Sequence, residues 1–252
     1  MPNIMVFDTE TVSTDKRFCY NVGYVIFNTE ERVILCKKEY IVQQCWHNLP
    51  LFATAYYADK RSLYVAAMRG KRATLDKWGY IMRDMKRDMR ENNVEYAYAY
   101  NSPFDDEVFT FNCDWYKTNN PLENVPVLDI RGIVSEFITN TSDYRDFCET
   151  YQRFTDSGNY SGNAETVYQY ITQNSEFIEA HTALADSEIE MEILTTCLDL
   201  GAEIGKEYKV TPQLHRYPIE PLTIKVDGEI VYQGHYRKKY VRKGLYSFNT
   251  QV

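Results

Sequence analysis

The sequence predicts a mixed α/β fold: a five-stranded sheet flanked by helices, followed by a C-terminal β-hairpin appendage. Three observations predict it. Strand-like apolar runs open the chain and recur between helical segments. The segment around 74–91 repeats its apolar residues at steps of three and four. Asp227-Gly228 then stands between two β-rich arms, a strong short-range hairpin signal.

The elements follow in order. Residues 3–9, NIMVFDT, are a short apolar run suited to a strand buried on both faces. Residues 19–28 and 32–42 read as two more strands, and the short connection Asn28-Thr29-Glu30 makes the three an antiparallel meander. Residues 50–70 read as helical. Thr74 is placed to cap a long helix whose Leu75, Trp78, Met82, Met85 and Met89 form one buried face, and Asn92-Asn93 ends it. A fourth strand covers 94–100. Ser102-Pro103 then reads as an N-cap followed by proline at the first helical position. Residues 126–131 give a fifth strand, and 139–164 are polar and loop-like. Helices are expected over 164–173 and 182–200, with Gly201 closing the second. The expected division is a main domain over 1–205 and the appendage over 206–252.

Composition sets bounds. A chain of 252 residues with 44% hydrophobic and 25% charged residues can bury a sizeable core. No basic stretch followed by an apolar run opens it, and no apolar segment has the length of a membrane span, so no membrane association is expected. Cys19, Cys36, Cys45, Cys113, Cys148 and Cys197 form neither a CxxC pair nor a zinc-finger spacing; reduced thiols in a cytoplasmic protein are the expectation. The net charge of −8 argues against a sequence-independent DNA coat protein, though not against an enzyme that grips one strand end through metals.

One acidic pair and two single acids carry the chemistry. Side chains alternate along a strand, so Asp8 and Glu10 share a face at the C-terminal end of the first one, where open α/β sheets bind ligands. Taken alone, such a pair can equally open a solvated loop. Asp105 falls in the first turn of a helix, where the helix dipole alone would favour an acid. By phase it also shares a face with Val108 and Phe109 and therefore points inward, unlike Asp106. Asp186 precedes Ile189, Ile193 and Cys197 by three, seven and eleven residues and so lies on an apolar stripe. A carboxylate there is costly unless paired or metal-bound. His181 lies just upstream, where a lone histidine is often no more than a surface or capping residue.

Together these residues resemble the DEDDh 3′–5′ exonucleases, the DnaQ-like branch of the RNase H-like superfamily that includes proofreading exonuclease subunits, RNase T and oligoribonuclease. The family's DxE motif is matched by Phe7-Asp8-Thr9-Glu10-Thr11, its NxxxD motif by Asn101 to Asp105 with Phe104 at the usual aromatic position, and its HxxxxD motif by His181 to Asp186. Val127-Leu128-Asp129 resembles the strand that follows the second motif. The resemblance covers about 1–200. It departs from the common pattern over Asp143–Asn174 and has no counterpart for the tail. Virus-encoded members are the nearest in overall character.

The resemblance implies an RNase H-like sheet and hydrolysis of phosphodiester bonds from the 3′ end of single-stranded nucleic acid, DNA favoured over RNA. It implies two divalent cations, Mg²⁺ or Mn²⁺, held by Asp8, Glu10, Asp105 and Asp186, with His181 as general base. Thr9, Thr11, Asn101 and Phe104 would contact substrate. A polymerase or other replication protein would be a partner. The alternative is a catalytically weak nucleic-acid or polymerase-binding module on the same fold. In the tail, residues 235–243 hold Arg237, Lys238, Lys239, Arg242 and Lys243 with two tyrosines and no acid. Such a stretch either tracks a nucleic-acid strand or blocks aggregation at a sheet edge.

Overall fold

The computed structural model describes residues 2–13, 17–210, 219–226, 228–241 and 245–249. Strands β1 (Asn3–Thr11), β2 (Cys19–Asn28) and β3 (Val33–Val42) form the expected antiparallel meander. Two short helices, α1 (Gln43–Trp46) and α2 (Leu49–Phe52), lead through a 3-10 turn at Ala58–Lys60 to α3 (Arg61–Arg69). Next come β4 (Thr74–Asp76), α4 (Trp78–Glu91), β5 (Val94–Ala99), α5 (Ser102–Tyr116) and β6 (Val127–Asp129). Helix α6 (Ile130–Val134) runs into a π-helical turn at Ser135–Thr139, followed by α7 (Ser142–Tyr151), α8 (Ala164–Thr172) and α9 (Ala183–Asp199).

The sheet has six strands in the order β4-β3-β2-β1-β5-β6. Strand β5 runs parallel to β1, and β6 parallel to β5. This is the expected mixed sheet flanked by helices, with one strand added at its edge. The addition corrects the reading of Thr74 as a helix cap: Thr74, Leu75 and Asp76 pair in parallel with Tyr40, Ile41 and Val42, and the helix starts at Trp78. Ser102 is likewise the first residue of α5 rather than its cap, which is Asn101. The loop expected over 139–164 contains α7, capped by the Thr141 side chain, which accepts from the Tyr144 N–H.

One core lies on a single face of the sheet. Met5, Phe7, Val22, Tyr24 and Ile26 from the strands meet Trp78, Ile81, Met82, Met85 and Met89 of α4 and Val108, Phe109 and Cys113 of α5. Each such side chain contributes roughly 1.5–3 kcal/mol by its burial, so the apolar stripe holds α4 in place more than helix propensity does. A second cluster joins Tyr20, Ile41, Cys45, Trp46, Phe52 and Tyr64 around α1–α3. Helix α9 packs on β1 and β2. Its end matches expectation, with Gly201 in the left-handed region at φ 103°. All six cysteines are free, and all but Cys36 are buried.

The chain divides into two compact units, Met1–Ile138 with Asn163–Thr211, and Thr139–Gly162 with Pro212–Val252. In the second, β7 (Ile219–Val226), β8 (Glu229–Val241) and β9 (Leu245–Asn249) form an antiparallel sheet in that order. The hairpin expected in the tail is β7–β8, with Gly228 at φ 88° in its turn; Asp227 lies outside the described residues. Residues Arg237–Val241 pair with β9, so this stretch lies in the middle strand and the edge-strand reading does not hold. Arg242 and Lys243 lie outside the described residues. Among the described residues, no helix is long and apolar enough to cross a membrane.

Candidate active site

Three elements bring acids to the C-terminal end of β1. On β1 itself, Asp8 and Glu10 are half-buried, while Thr9 between them is buried. Pairing of β1 with β5 ends at Val6–Tyr98, and beyond it α5 takes over. The Thr9 N–H and hydroxyl both donate to Oδ1 of Asp105, at 3.1 and 2.6 Å. Asp105 is buried with Val108 and Phe109, whereas Asp106 is exposed. The turn into α5 is fixed by Asp129, whose Oδ1 accepts the Asn101 N–H at 2.8 Å and the Arg131 N–H at 2.9 Å. Asn101 sits at φ 67° and is exposed. Phe104 packs partly against the main core, with the Arg17 guanidinium 5.9 Å from its ring centre.

The third element is α9. Its first N–H, on Ala183, donates to the buried Asn21 side chain of β2 at 2.8 Å. Gly23, the cross-strand partner of Asp8, lets the helix sit flush on the sheet, because a Cβ there would lie 2.1 Å from the Ala183 and Leu184 backbone. The Ser187 hydroxyl bonds the Gly23 carbonyl at 3.1 Å. This seating turns Asp186 toward β1. Carboxylate oxygens of Asp8, Glu10 and Asp186 all lie within 4.8 Å of one another. Asp105 stands behind them, tied to Thr9, and its charge acts on Asp8. Thr11 is half-buried beside a break in the β1–β2 register.

His181 belongs to a neighbouring group, with one ligand atom each from Glu165, Glu179 and His181 within 4.8 Å. Its ring stacks on Tyr57 at 4.4 Å between centres and 11° between planes. Lys60 donates to the Ala180 carbonyl at 2.6 Å and lies 4.5 Å from the Tyr57 ring centre. Burial and the Lys60 charge hold the His181 imidazole below its ordinary range, against an opposing pull from Glu165.

Glu190 stands outside the three motifs. It is buried one turn beyond Asp186, accepts the Tyr100 N–H at 3.1 Å, and acts on Asp8 through its charge. Its four-residue spacing from Asp186 on the same helix was the available signal. Tyr57, Lys60 and Glu165 carried none, since segments remote in sequence bring them in, and Glu179, two residues before His181, stands in no motif.

Crowding raises the carboxyls. Burial, then Asp105, Glu190, Asp186 and Glu10, push Asp8 well above the carboxylate range. Burial lifts Asp105 to about 7 against the Thr9 hydrogen bonds. Burial likewise lifts Glu10 to about 8, with Lys60 opposing, and Asp186 to about 9, with Glu179 and Glu10 adding. Oδ1 of Asp186 is buried and takes no hydrogen bond among the described residues. A hard divalent cation fits these facts: the donors are all oxygens, one of them is unpartnered, and their charges repel.

A pH dependence follows. These acids have folded pKa values above their unfolded ones, near 4. In chelator the folded state therefore holds more protons than the unfolded state between pH about 4 and 9, and stability falls as pH rises through that window. Saturating Mg²⁺ or Mn²⁺ is expected to oppose the fall, most strongly at the alkaline end. Thermal unfolding at pH 5, 7 and 9, with chelator and with metal, measures this. A metal-induced gain in midpoint no larger at pH 9 than at pH 5 would contradict it.

The chain is similar to E. coli Exonuclease I in crystal structures with a dT13 oligonucleotide (13% identity, TM-score 0.47, 78% of this chain and 41% of that one) and with a dA16 oligonucleotide (13% identity, TM-score 0.40, 77% and 40%). It thus spans about two-fifths of the length of that enzyme. No family model and no curated protein matches the chain.

Proposed function

We propose that the chain is a metal-dependent 3′–5′ exonuclease acting on single-stranded nucleic acid. The observation that carries this reading is the convergence within 4.8 Å of oxygens from Asp8 and Glu10 on β1 and from Asp186 on α9, two elements far apart in sequence. In this reading Asp8, Glu10 and Asp186 hold the cations, and Asp105, fixed by Thr9, supports them from behind. Divalent ions bound there would supply Lewis acidity and lower the pKa of attacking water.

The neutral His181 accepts a proton from the attacking water. The water oxygen forms a bond to phosphorus, and the bond from phosphorus to the 3′ oxygen of the preceding nucleotide breaks, that oxygen keeping the electron pair and taking a proton from solvent. The lowered imidazole pKa keeps that base unprotonated near neutral pH. His181→Ala is therefore expected to cut the single-turnover rate by about 10²–10⁴-fold while strand binding changes little. Equal single-turnover rates for the two proteins would remove the assignment of the base.

One assay tests the whole reading: matched single-stranded DNA, single-stranded RNA and duplex, labelled at the 5′ end, with Mg²⁺, Mn²⁺ or chelator. The expected result is a metal-dependent ladder shortening from the 3′ end, faster on single strands, with DNA preferred. Internal cuts, or no metal-dependent cleavage on any substrate, would reject the reading.

A further inference from the structure

His181 is held more tightly than a solvent-facing base requires. Its backbone adopts φ 51°, in the left-handed region that few non-glycine residues enter. The Tyr64 hydroxyl donates to its carbonyl at 3.4 Å, and Tyr57 covers one face of its ring. At the ring edge, Oε2 of Glu179 lies 3.5 Å from Nδ1. That separation is long for a hydrogen bond and within ion-pair reach, as is common for catalytic contacts before substrate binds.

Glu179 is in turn fixed. Its own N–H donates to Oε2 of Glu165, in the first turn of α8, at 2.8 Å. Its side chain is only 12% exposed, so the carboxylate requires a partner. Burial and the Glu165 charge lift Glu179 to about 7, with the Lys60 charge opposing.

A neutral imidazole carries one proton and one lone pair, and the partner of one nitrogen decides the role of the other. Above pH about 7 Glu179 is a carboxylate, and at Nδ1 it can only accept. It therefore favours the tautomer with the proton on Nδ1 and leaves Nε2 as the basic nitrogen. We propose that Glu179, braced by Glu165, is a positioning residue that holds the Nδ1 proton of His181 and so makes Nε2 the base. The proposal rests on the reading of His181 as general base, and it adds a carboxylate–imidazole pair that the three sequence motifs do not contain.

Two measurements test it. The first needs no activity. Long-range ¹H–¹⁵N spectra of histidine-labelled protein, at a pH above 7 where the imidazole is neutral and Glu179 is ionised, report the tautomer. The chain has 4 histidines, and His181→Ala assigns the signal. The wild type is expected to show the proton on Nδ1, and Glu179→Ala to shift it toward Nε2. The second is a double-mutant cycle in single-turnover cleavage. Glu179→Ala is expected to slow wild type by about 10- to 100-fold, a typical cost of losing a histidine's orienting partner, with little change in strand affinity. In the His181→Ala background it should add almost nothing. Glu179→Asp keeps the carboxylate and should recover part of the rate.

An Nε2 proton on wild-type His181, or a Glu179→Ala penalty of the same size with and without His181, overturns the proposal. The exonuclease reading fails separately: it is lost if wild type shows no metal-dependent cleavage, whatever the tautomer.

Discussion

Asp8→Asn is expected to abolish metal-dependent cleavage of a 3′ end while leaving the protein folded. Asp8 is the carboxylate on which the others act: it shares the oxygen cluster with Glu10 and Asp186, and the charges of Asp105 and Glu190 act on it as well. Asparagine keeps its shape and removes its charge. Losing a ligand of this kind removes several kcal/mol of charge stabilisation in the transition state, a fall of roughly 10³-fold or more in rate. The effect on the fold runs the other way. The neighbours of Asp8 all raise its pKa, so in chelator the wild type loses stability by ionising it. Asp8→Asn should therefore unfold at the same temperature or higher at pH 8 without metal, and gain less than wild type when Mn²⁺ is added. Asp106→Asn, at an exposed position one residue beyond Asp105, serves as the control and should cleave normally. An Asp8→Asn protein that cleaves at wild-type rate in saturating metal would show that the cluster is not the active site.

The parts of this site that were legible in the sequence are those fixed by local periodicity. Alternation put Asp8 and Glu10 on one face. Helical phase put Asp105 with Val108 and Phe109, and Asp186 with Ile189, Ile193 and Cys197; all of these are buried. What periodicity could not supply came from tertiary contact. Thr74–Asp76 is a strand only because the end of β3 offers it a parallel partner. Helix α7 was missed on polarity, although Thr141 offered a cap and Tyr144, Phe147 and Cys148 are spaced for one buried face. The group around His181 is assembled from the 3-10 turn, α8 and the approach to α9, and no spacing rule joins segments so far apart.

Gly23 shows how the sheet decides where the chemistry sits, and Gly23→Ala is expected to damage both fold and activity. Its carbonyl accepts from Ser187, and it pairs across the strands with Asp8. An added methyl carbon would lie 2.1 Å from the Ala183 carbonyl carbon and the Leu184 nitrogen. Both are backbone atoms at the start of a helix, so no side chain can rotate away; either α9 lifts or β2 bends. Overpacking of this kind costs about 1–3 kcal/mol and occasionally more. Lifting α9 also carries Asp186 away from Asp8 and Glu10, and a misplacement near 1 Å can cost on the order of 10²-fold in rate. Gly79 in α4 is the internal comparison, since its added carbon would meet only the Thr118 methyl, at 3.1 Å. Gly79→Ala should cleave normally and unfold no more than slightly earlier, or later by the helix preference of alanine. If Gly23→Ala does not fold, Asn21→Ala probes the same seating more gently, by removing the side chain that accepts the Ala183 N–H. It should weaken metal binding and slow cleavage together. Wild-type rate and metal affinity in Gly23→Ala, or in Asn21→Ala if that is the variant that folds, would mean that α9 does not set the position of Asp186.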